Sequence, residues 1–345
     1  MNNGLKRVLV SCILLLMLSL CGCGAYFSVE EEEVSENAQN IDLENREGLV
    51  VVGVCQVGSE SVWRTANTES IQQTFTSENG YLLIFNNARQ KQENQIKAVR
   101  RMISQKVDYI VISPITEDGW DIVLKEAKDA GIPVILMDRK VNVTDPSLYT
   151  AWIGSDFYKE GKNAGKWLEE YLDKRGVVDQ TINIVVLLGT EGSSSMIGRT
   201  DGFHDVANKH SNWVILEEID AEYTTAKGKE EMKRLLKEYD RIDVVVSQND
   251  DMTFGALDAI KEAGLVPGEK GDMILISFDA VRSALSLIQE GEIAVDVECN
   301  PLQGPYVEKI IRSIENQWGF DKESYVPEQI FDKGNVDKYL PDRTY

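Results

Sequence analysis

The architecture of this 345-residue chain follows from one segment, Val51-Val-Gly-Val-Cys-Gln-Val-Gly-Ser-Glu-Ser-Val-Trp-Arg64. The segment begins as a continuous apolar run, which is typical of a strand buried on both faces in a parallel sheet. It then changes to Gly, Ser and Glu, followed by Trp63 and Arg64. In an open α/β sheet, ligands bind at the loops that leave the carboxyl ends of the strands. Trp63 therefore has two interpretations, as a flat surface for a ligand or as the first core residue of the next helix.

The order of strand, loop and helix recurs along the chain. The first series has strands at Leu49–Cys55, Tyr81–Phe85, Tyr109–Ile112 and Val134–Met137, with helices near Arg64–Glu78, Gln92–Ser104 and Asp121–Ala130. The second series has strands at Ile182–Leu188, Val214–Ile219, Val244–Ser247, Met273–Ser277, Ala294–Cys299 and Val326–Phe331, with helices near Tyr158–Lys174, Met196–Asn208, Ala226–Glu238, Thr253–Ala263, Arg282–Gln289 and Pro305–Gln317. This alternation predicts parallel sheets with right-handed crossovers, and the length favours two lobes over one core.

Polar residues follow nearly every predicted strand. The loops are Asn86–Gln90, Ser113-Pro114, Asp138-Arg139, Gly189–Ser195 with Arg199 beyond it, Asp220–Thr225, Gln248–Asp251, Asp279-Ala280 and Cys299–Pro301. One such residue is ordinary capping or turn chemistry, and Asp251 is interpreted in that way, as the cap of the helix entered at Met252. A set at equivalent strand ends predicts the lining of a cleft between two sheets.

The N-terminus, residues 1–22, has the layout of a secretory signal peptide. Two basic residues precede an apolar run, Val8–Leu20, that is too short for an ordinary transmembrane helix. The run ends at Leu-Cys-Gly-Cys, which resembles a bacterial lipobox with Cys23 as the lipidated residue; Cys21 and plain secretion are the alternatives. Two acyl chains anchor a protein stably to a membrane, so we expect a lipoprotein at the outer face of the cell membrane. Acidic, weakly hydrophobic residues 23–48 are predicted to form a disordered tether.

Composition excludes several classes of function. The net charge of −21 argues against nucleic-acid binding, which depends on Lys and Arg. Beyond the anchor, Cys55 and Cys299 fall in predicted strands, so free buried thiols are favoured over a disulfide or a metal site. His204 and His210, expected on or just after a helix surface, give no metal or triad constellation. We therefore expect no metal and no cofactor.

Five segments keep the order and character of segments in a known family. They are Gly58-Ser-Glu-Ser-Val-Trp-Arg64, Gln90-Lys-Gln-Glu-Asn-Gln-Ile96, Met137-Asp-Arg139, Gln248-Asn-Asp-Asp-Met252 and Ser277-Phe-Asp279. From Leu49 to about Phe331 the chain resembles the ribose-type periplasmic sugar-binding proteins of ABC importers, and among them the galactofuranose-binding members. It departs from them at the N-terminus and near Asn86–Ala88 and Glu222–Thr224, which weakens any claim to an identical sugar.

The resemblance implies an α/β fold of two doubly wound parallel-sheet lobes joined by a three-stranded hinge, the periplasmic binding protein type I fold. The implied N-terminal lobe comprises residues 49–153 and 301–325, and the C-terminal lobe comprises residues 154–300 and 326–345. The chain would cross between the lobes near Ile153–Ser155, Cys299–Pro301 and Ser324–Val326. The lobes would close on the sugar by a hinge motion.

The resemblance also implies the residues that bind the sugar. They are Ser59, Glu60, Trp63, Arg64, Ser113, Asp138 and Arg139 from the first lobe, Arg199, Tyr223, Asn249 and Asp279 from the second, and Asn300 at the hinge.

The chemistry of these residue types agrees with that assignment. A buried sugar hydroxyl needs both an acceptor and a donor, and an aromatic ring can stack on the apolar face of the sugar. Balanced charges suit a neutral ligand. Other interpretations stay open for single residues: a structural ion pair for Asp138 and Arg139, a surface helix position for Arg199, and no ligand contact for Tyr223.

We expect a non-catalytic, monomeric receptor that captures a monosaccharide and delivers it to ABC permease subunits. One alternative is a sensor that presents sugar to a membrane receptor kinase. Another is an enzyme acting on sugars, for which the sequence offers carboxylates but no catalytic triad, metal cluster or cofactor fingerprint. The serine-containing loop at Gly189–Ser195 lacks the Gly-Lys-Ser/Thr ending of a phosphate-binding P-loop.

Overall fold

The computed structural model describes residues 48–177, 180–268 and 270–345. The expected signal peptide, the lipidation site Cys23 and the tether up to residue 47 lie outside the described residues. Among the helices that are described, none combines the length and the apolar character needed to cross a membrane.

The described residues form strands and helices in strict alternation over most of the chain. In chain order they are β1 (Val50–Gln56), α1 (Val62–Thr74), β2 (Tyr81–Asn87), α2 (Gln92–Gln105), β3 (Tyr109–Ile112), α3 (Asp121–Asp129), β4 (Val134–Met137), β5 (Ala151–Gly154), α4 (Phe157–Lys174), β6 (Ile182–Leu188), α5 (Ser194–Ala207), β7 (Trp213–Asp220), α6 (Thr225–Glu238), β8 (Val244–Ser247), α7 (Asp250–Glu262), β9 (Ile274–Asp279), α8 (Arg282–Glu290), β10 (Val295–Glu298), α9 (Gly304–Glu315), β11 (Glu323–Tyr325), β12 (Ile330–Asp332) and α10 (Val336–Tyr339).

The strands form two six-stranded sheets, each at the centre of an α/β lobe. The order is β11-β5-β4-β3-β1-β2 in the first sheet and β12-β10-β9-β8-β6-β7 in the second. All neighbours in the first sheet are parallel. The second sheet is parallel except for β12, which runs antiparallel to β10. This confirms the predicted α/β fold of two doubly wound lobes.

Helices cover both faces of each sheet, which explains why the strands are almost continuous apolar runs. In the first lobe α1 packs against α9, and α2 packs against α3; in the second, α4 packs against α5, and α6 against α7. β1 illustrates the result, because its residues from Val51 onward are all buried. Several helices begin with a side-chain cap directly after a strand. The caps are Ser61, Asp156, Ser193, Thr224 and Asn249.

Two features of the strands differ from the sequence-based expectation. β5, a four-residue strand, was not predicted although it pairs with β4 and β11. The final strand predicted at Val326–Phe331 is displaced: β12 begins only at Ile330, in the second sheet, and β11, which was not predicted, ends at Tyr325 in the first. The intervening residues pass from one sheet to the other, and both pairings are long-range, so local sequence cannot locate the break.

Candidate functional site

A cavity of about 30 Å³ lies where the carboxyl ends of the two sheets face each other. Its lining includes nine of the twelve predicted site residues: Glu60, Trp63, Arg64, Asp138, Arg139, Arg199, Tyr223, Asn249 and Asp279. Three guanidinium groups and three carboxyl groups therefore meet around one small space between the two sheets.

Three predicted residues do not line the cavity. Ser113 lies just behind it, where its hydroxyl group accepts a hydrogen bond from Arg64 and donates one to Asp138, each at 3.1 Å. Ser59 is exposed and its hydroxyl accepts a hydrogen bond from Asn87 Nδ2 at 2.9 Å. Asn300 uses its backbone N–H and its side-chain oxygen in contacts within the crossing segments.

Four further residues line the cavity without having been predicted: Ser61, Phe157, Ser195 and Cys299. Ser61 and Ser195 belong to loops that the sequence did single out, so their position at strand ends was the available signal. Phe157 is the first residue of α4 and comes directly after a passage between the sheets, and nothing local distinguishes it from a core aromatic residue.

Arg64 is the centre of the first-lobe wall of the cavity. Its Nε donates to Glu60 Oε1 at 3.0 Å, and its Nη1 lies 2.9 Å from Asp138 Oδ2 and 3.1 Å from Gln56 Oε1. Burial lowers the pKa of Arg64, but the charges of Asp138 and Glu60 outweigh it and raise the pKa above its ordinary value. The guanidinium is thus a permanently charged, fixed donor.

Trp63 both belongs to a core and lines the cavity. It is 4% exposed and packs with the apolar residues of the second lobe, although it lies on α1 of the first lobe. Its indole Nε1 donates to the carbonyl oxygen of Cys299 at 2.6 Å, and the Arg64 guanidinium lies 4.6 Å from the ring centroid. The two sequence interpretations of this residue are therefore compatible.

Asp138 and Arg139 are adjacent, yet they do not pair tightly with each other. The distance from Arg139 Nε to Asp138 Oδ2 is 3.9 Å, whereas Arg64 lies 2.9 Å from the same oxygen. Arg139 Nη1 donates to the carbonyl of Ile115 at 3.0 Å. Burial and the neighbouring Arg64 lower the pKa of Arg139. Asp138 therefore serves Arg64, and Arg139 retains N–H groups that face the cavity.

Arg199 is the corresponding cation of the second lobe. Its Nε donates to Glu160 Oε2 at 2.7 Å, and its Nη2 lies 3.4 Å from Asp279 Oδ1. Burial lowers the pKa of Arg199, but the Glu160 charge and the other acidic groups around it, Asp279 among them, together outweigh burial and raise the pKa. Gly161 makes this arrangement possible, because a Cβ there would lie 2.0 Å from the Arg199 carbonyl oxygen. Arg199 is thus buried in the cavity wall and not on a helix surface.

Tyr223 lines the cavity from a strained loop. Its φ is 59°, its hydroxyl donates to Ser195 Oγ at 2.9 Å, and the Arg139 guanidinium lies 5.2 Å from its ring centroid. Gly189 leaves room for the ring, since a Cβ at that position would lie 1.8 Å from Tyr223 Cζ. Asp138 and Asp279 also have positive φ, at 65° and 104°. Backbone strain is therefore concentrated at the cavity.

Asn249, and not Asp251, provides the side-chain cap of α7. Asn249 Oδ1 accepts from Met252 N at 2.9 Å and caps α7, while its side chain also lines the cavity. Asp251 does not cap its own helix, which corrects the expectation. Its Oδ2 instead accepts from the backbone N–H of Val62, the first residue of α1 in the other lobe, at 3.0 Å. Burial raises the pKa of Asp251 to about 6.

Two more hydrogen bonds join the lobes at the cavity rim. Lys140 N donates to Ser194 Oγ at 2.8 Å, and Glu117 N donates to the Gly192 carbonyl at 2.9 Å. Together with the contact between Val62 and Asp251, they hold the two walls together around the cavity.

The three segments that pass between the sheets meet behind the cavity. Glu328 Oε1 accepts hydrogen bonds from the Ser155 hydroxyl and from Asn300 N, and so links all three passages. Burial and the nearby Glu160 raise the pKa of Glu328 to about 9. Glu160, Glu328 and Cys299 form the one group of potential metal ligands among the described residues, within 4.8 Å of one another. Because Arg199 already neutralises Glu160, this geometry fits hydrogen-bonded carboxyl groups better than a cation.

Comparison with known proteins gives consistent matches. A family model described as a periplasmic binding protein domain matches residues 52–303. The galactofuranose-binding protein YtfQ of Escherichia coli strain K12 is 39% identical over 85% of this chain and 88% of its own length.

Two solved structures are similar in fold and sequence. A Mycobacterium smegmatis protein in complex with β-D-fucofuranose superposes with a TM-score of 0.81 at 40% identity, over 85% of this chain and 95% of its own. The binding component of the arabinose ABC transporter of Shewanella sp. ANA-3, bound to α- and β-L-arabinofuranose, gives a TM-score of 0.78 at 40% identity over the same shares of the two chains.

Proposed function

Because the chain belongs to the periplasmic binding protein family, whose members work outside the cytoplasm, we propose that it is the substrate-binding protein of an ABC importer for a neutral monosaccharide. Its partners in this role are the permease subunits of that importer. The role is one of binding and delivery, without a chemical step.

The charge balance of the cavity carries the proposal. The lining holds three guanidinium groups and three carboxyl groups, so it has no formal surplus of either sign. The guanidinium groups of Arg64 and Arg199 are fixed by ion pairs in the walls, and Arg139 adds further donors. Sugar hydroxyl groups both donate and accept, so they fit such a lining. A sugar acid or sugar phosphate would bring an additional buried charge into the cavity, and the lining has no surplus charge to balance it.

A furanose form is the favoured ligand. The relatives described above bind galactofuranose, fucofuranose and arabinofuranose, each a five-membered ring. The aromatic side chains of Trp63 and Tyr223 supply apolar surface on opposite lobes for such a ring.

We assign the capture step to closure of the two lobes about the passages between the sheets. The lobes in this proposal are residues 49–153 with 301–325 and residues 154–300 with 326–345. Supporting this are the hydrogen bonds that Val62, Lys140 and Glu117 make across the rim, since they would form only when the lobes are together. Separation of the lobes would expose the lining to solvent sugar.

The N-terminal sequence supports a lipid anchor at Cys23, which would hold the monomeric protein at the outer face of the membrane. Expression of a Cys23→Ser variant tests this directly. The protein should move from the membrane fraction to the soluble fraction, and an unchanged distribution would contradict the anchor.

The ligand class is tested by calorimetry and thermal unfolding with L-arabinose, D-galactose, D-fructose and D-ribose, and with D-galacturonate as the charged counterpart of galactose. At least one neutral sugar should bind and raise the unfolding midpoint. At a concentration of about 100 times Kd, the free energy of unfolding should increase by about 2.7 kcal/mol. Galacturonate should bind far more weakly than D-galactose. Binding of galacturonate alone, or of none of the neutral sugars, would overturn the proposal.

The Asp138→Asn variant connects binding to the cavity. It removes the carboxylate that pairs with Arg64, and a charge-assisted hydrogen bond of this kind contributes about 1.5–3 kcal/mol. The expected loss of affinity is therefore between about tenfold and about 150-fold. Asp129→Asn is the matched control, because it breaks an exposed ion pair with Lys125 in the same lobe and should bind normally.

A further inference from the structure

Two fully buried aspartates lie behind the cavity wall that carries Asp279. Asp250 begins α7 and Asp296 lies in β10, and both are 0% exposed. Neither lines the cavity. A pair of carboxyl groups in such a position is costly if both are ionised, because the two charges repel in a medium of low dielectric constant.

The hydrogen-bond pattern of the two carboxyl groups leaves one oxygen for a proton. Asp250 Oδ1 accepts from Ser277 Oγ at 2.6 Å and its Oδ2 accepts from Val281 N at 2.8 Å. Asp296 Oδ1 accepts from Ala280 N at 3.1 Å. Among the described residues, no N–H group or hydroxyl donates to Asp296 Oδ2. The two carboxyl groups lie side by side, because they accept from the consecutive backbone N–H groups of Ala280 and Val281. A single proton between the two carboxyl groups satisfies the remaining oxygen.

The same two carboxyl groups hold the turn that follows β9. Asp279 has a φ of 104° and Ala280 a φ of 59°, which are unfavourable conformations for residues with a side chain. The next two backbone N–H groups, of Ala280 and Val281, donate to Asp296 and Asp250. The strained turn is therefore fixed by the aspartate pair, and the turn directs the Asp279 side chain toward Arg199 and the cavity.

We propose that Asp250 and Asp296 share one proton and act together as positioning residues, which hold Asp279 in the geometry that binds the sugar. The role of Asp279 in this inference rests on the proposed function. The sharing of the proton and its effect on the fold do not.

Protonation of the pair has a direct consequence for pH. Burial raises the pKa of Asp250 well above its ordinary value, and the Asp296 carboxyl adds to the rise. Burial also raises the pKa of Asp296, to about 7. The other charged groups that face the pair, within the described residues, are Asp279 at the end of β9 and Arg343 of the C-terminal segment.

The sign of the pH effect follows from these pKa values. The folded protein keeps a proton that the unfolded chain releases near an aspartate's ordinary pKa of about 4. The stabilisation is therefore fully present below about pH 4 and is lost as the pH rises through about 7. As Asp296 ionises, and Asp250 after it at higher pH, negative charge builds up beside the turn, the turn shifts, and the affinity for sugar should fall.

The Asp296→Asn variant tests the inference, because an asparagine reproduces the protonated state. Its Oδ1 still accepts from Ala280 N, and its amide group donates to the Asp250 carboxylate. The thermal unfolding midpoint of the ligand-free wild-type protein should fall between about pH 5 and about pH 8. The midpoint of Asp296→Asn should change less over the same pH range. Asp258→Asn is the matched control: Asp258 lies on α7 like Asp250, its exposed carboxylate pairs with Lys229 of α6, and the variant should follow the wild-type curve.

L-arabinose binding supplies the second readout. Affinity of the wild-type protein should fall about tenfold between about pH 6 and about pH 9, which corresponds to one unit of pKa coupled to binding. Asp296→Asn should change less than about twofold over the same range, and Asp296→Ala should bind at least about tenfold more weakly at pH 6 because Ala280 N–H loses its acceptor.

The two claims fail separately. Parallel stability curves for the wild-type protein and Asp296→Asn would overturn the shared proton, whether or not any sugar binds. A difference in stability curves without a difference in the pH dependence of L-arabinose binding would overturn the positioning role. Absence of binding to every sugar would overturn the proposed function and the role of Asp279, and leave the shared proton supported by the ligand-free curves.

Discussion

Replacing Trp63 by Phe tests whether the first turn of α1 contributes to closure of the two lobes. The substitution keeps an aromatic ring in the cavity wall but removes the indole N–H that donates to the Cys299 carbonyl at 2.6 Å. That hydrogen bond connects α1 to a segment that passes between the sheets, and both residues are buried. The closed form should therefore lose stability more than any form in which water can reach the carbonyl.

The size of the effect follows from the unpaired carbonyl group. A buried acceptor left without its donor costs about 1–3 kcal/mol. If this cost falls on the sugar-bound, closed form, the affinity should drop between about fivefold and about 150-fold, with about 30-fold as the central value. The ring itself stays in place, so the ligand-free fold should be only slightly less stable.

Isothermal titration with the best-binding sugar of the panel measures this loss. Trp167→Phe is the control, because Trp167 Nε1 also donates to a single acceptor, Asp332 Oδ2 at 3.0 Å, but far from the cavity. It should bind sugar like the wild-type protein. Equal affinity of Trp63→Phe and Trp167→Phe would refute the link between this hydrogen bond and closure.

Three further predictions concern other parts of the structure. Gly189→Ala should reduce sugar affinity by between about fivefold and about 150-fold, measured by calorimetry, because its Cβ would displace the Tyr223 ring at an overpacking cost of about 1–3 kcal/mol; unchanged binding would show that the ring is not needed there. Asp251→Asn should remove a pH-dependent part of the free energy of unfolding. The pKa of Asp251 is raised to about 6, so the protonated carboxyl contributes up to about 3 kcal/mol below about pH 4, and this contribution is lost as the pH rises through about 6. Urea unfolding of the wild-type protein and the variant should diverge over that pH range. Cys55 and Cys299 should not react with a thiol reagent at neutral pH until the protein unfolds, since burial raises the pKa of Cys55 to about 12 and that of Cys299 well above its ordinary value; rapid labelling of the native protein would contradict their burial.

The lobes could be predicted from sequence because their strands are short apolar runs ended by turn residues. β5 was missed because four residues, Ala151–Gly154, carry too little pattern to separate from a loop. The pairing of β11 and β12 with different sheets depends on contacts with β5 and β10, which are far away in sequence. Local periodicity therefore identified the two layers, but it missed β5 and β11 at one side of the first sheet and misplaced β12 at the edge of the second.

The cavity lining could be predicted to a large extent because strand ends in parallel sheets converge. Ser113 shows the limit of that argument: it follows β3 like a ligand-binding residue but is used to support Arg64 and Asp138. Asp251 shows another, since three consecutive residues, Asn249 to Asp251, have the same capping chemistry, and only the packing of the opposite lobe assigns their roles. Positive φ at Asp279 likewise has no signature in the residue type.

The hydrogen bonds across the rim also bear on how long a captured molecule stays. Three of them, from Val62, Lys140 and Glu117, must break before the walls can part, and each contributes about 1 kcal/mol net. If the transition state for parting has lost all three, the separation is slowed by about a hundredfold. The residence time of the bound molecule thus depends partly on backbone N–H groups that need not contact that molecule. A partner protein that competes for these N–H groups would shorten the residence time.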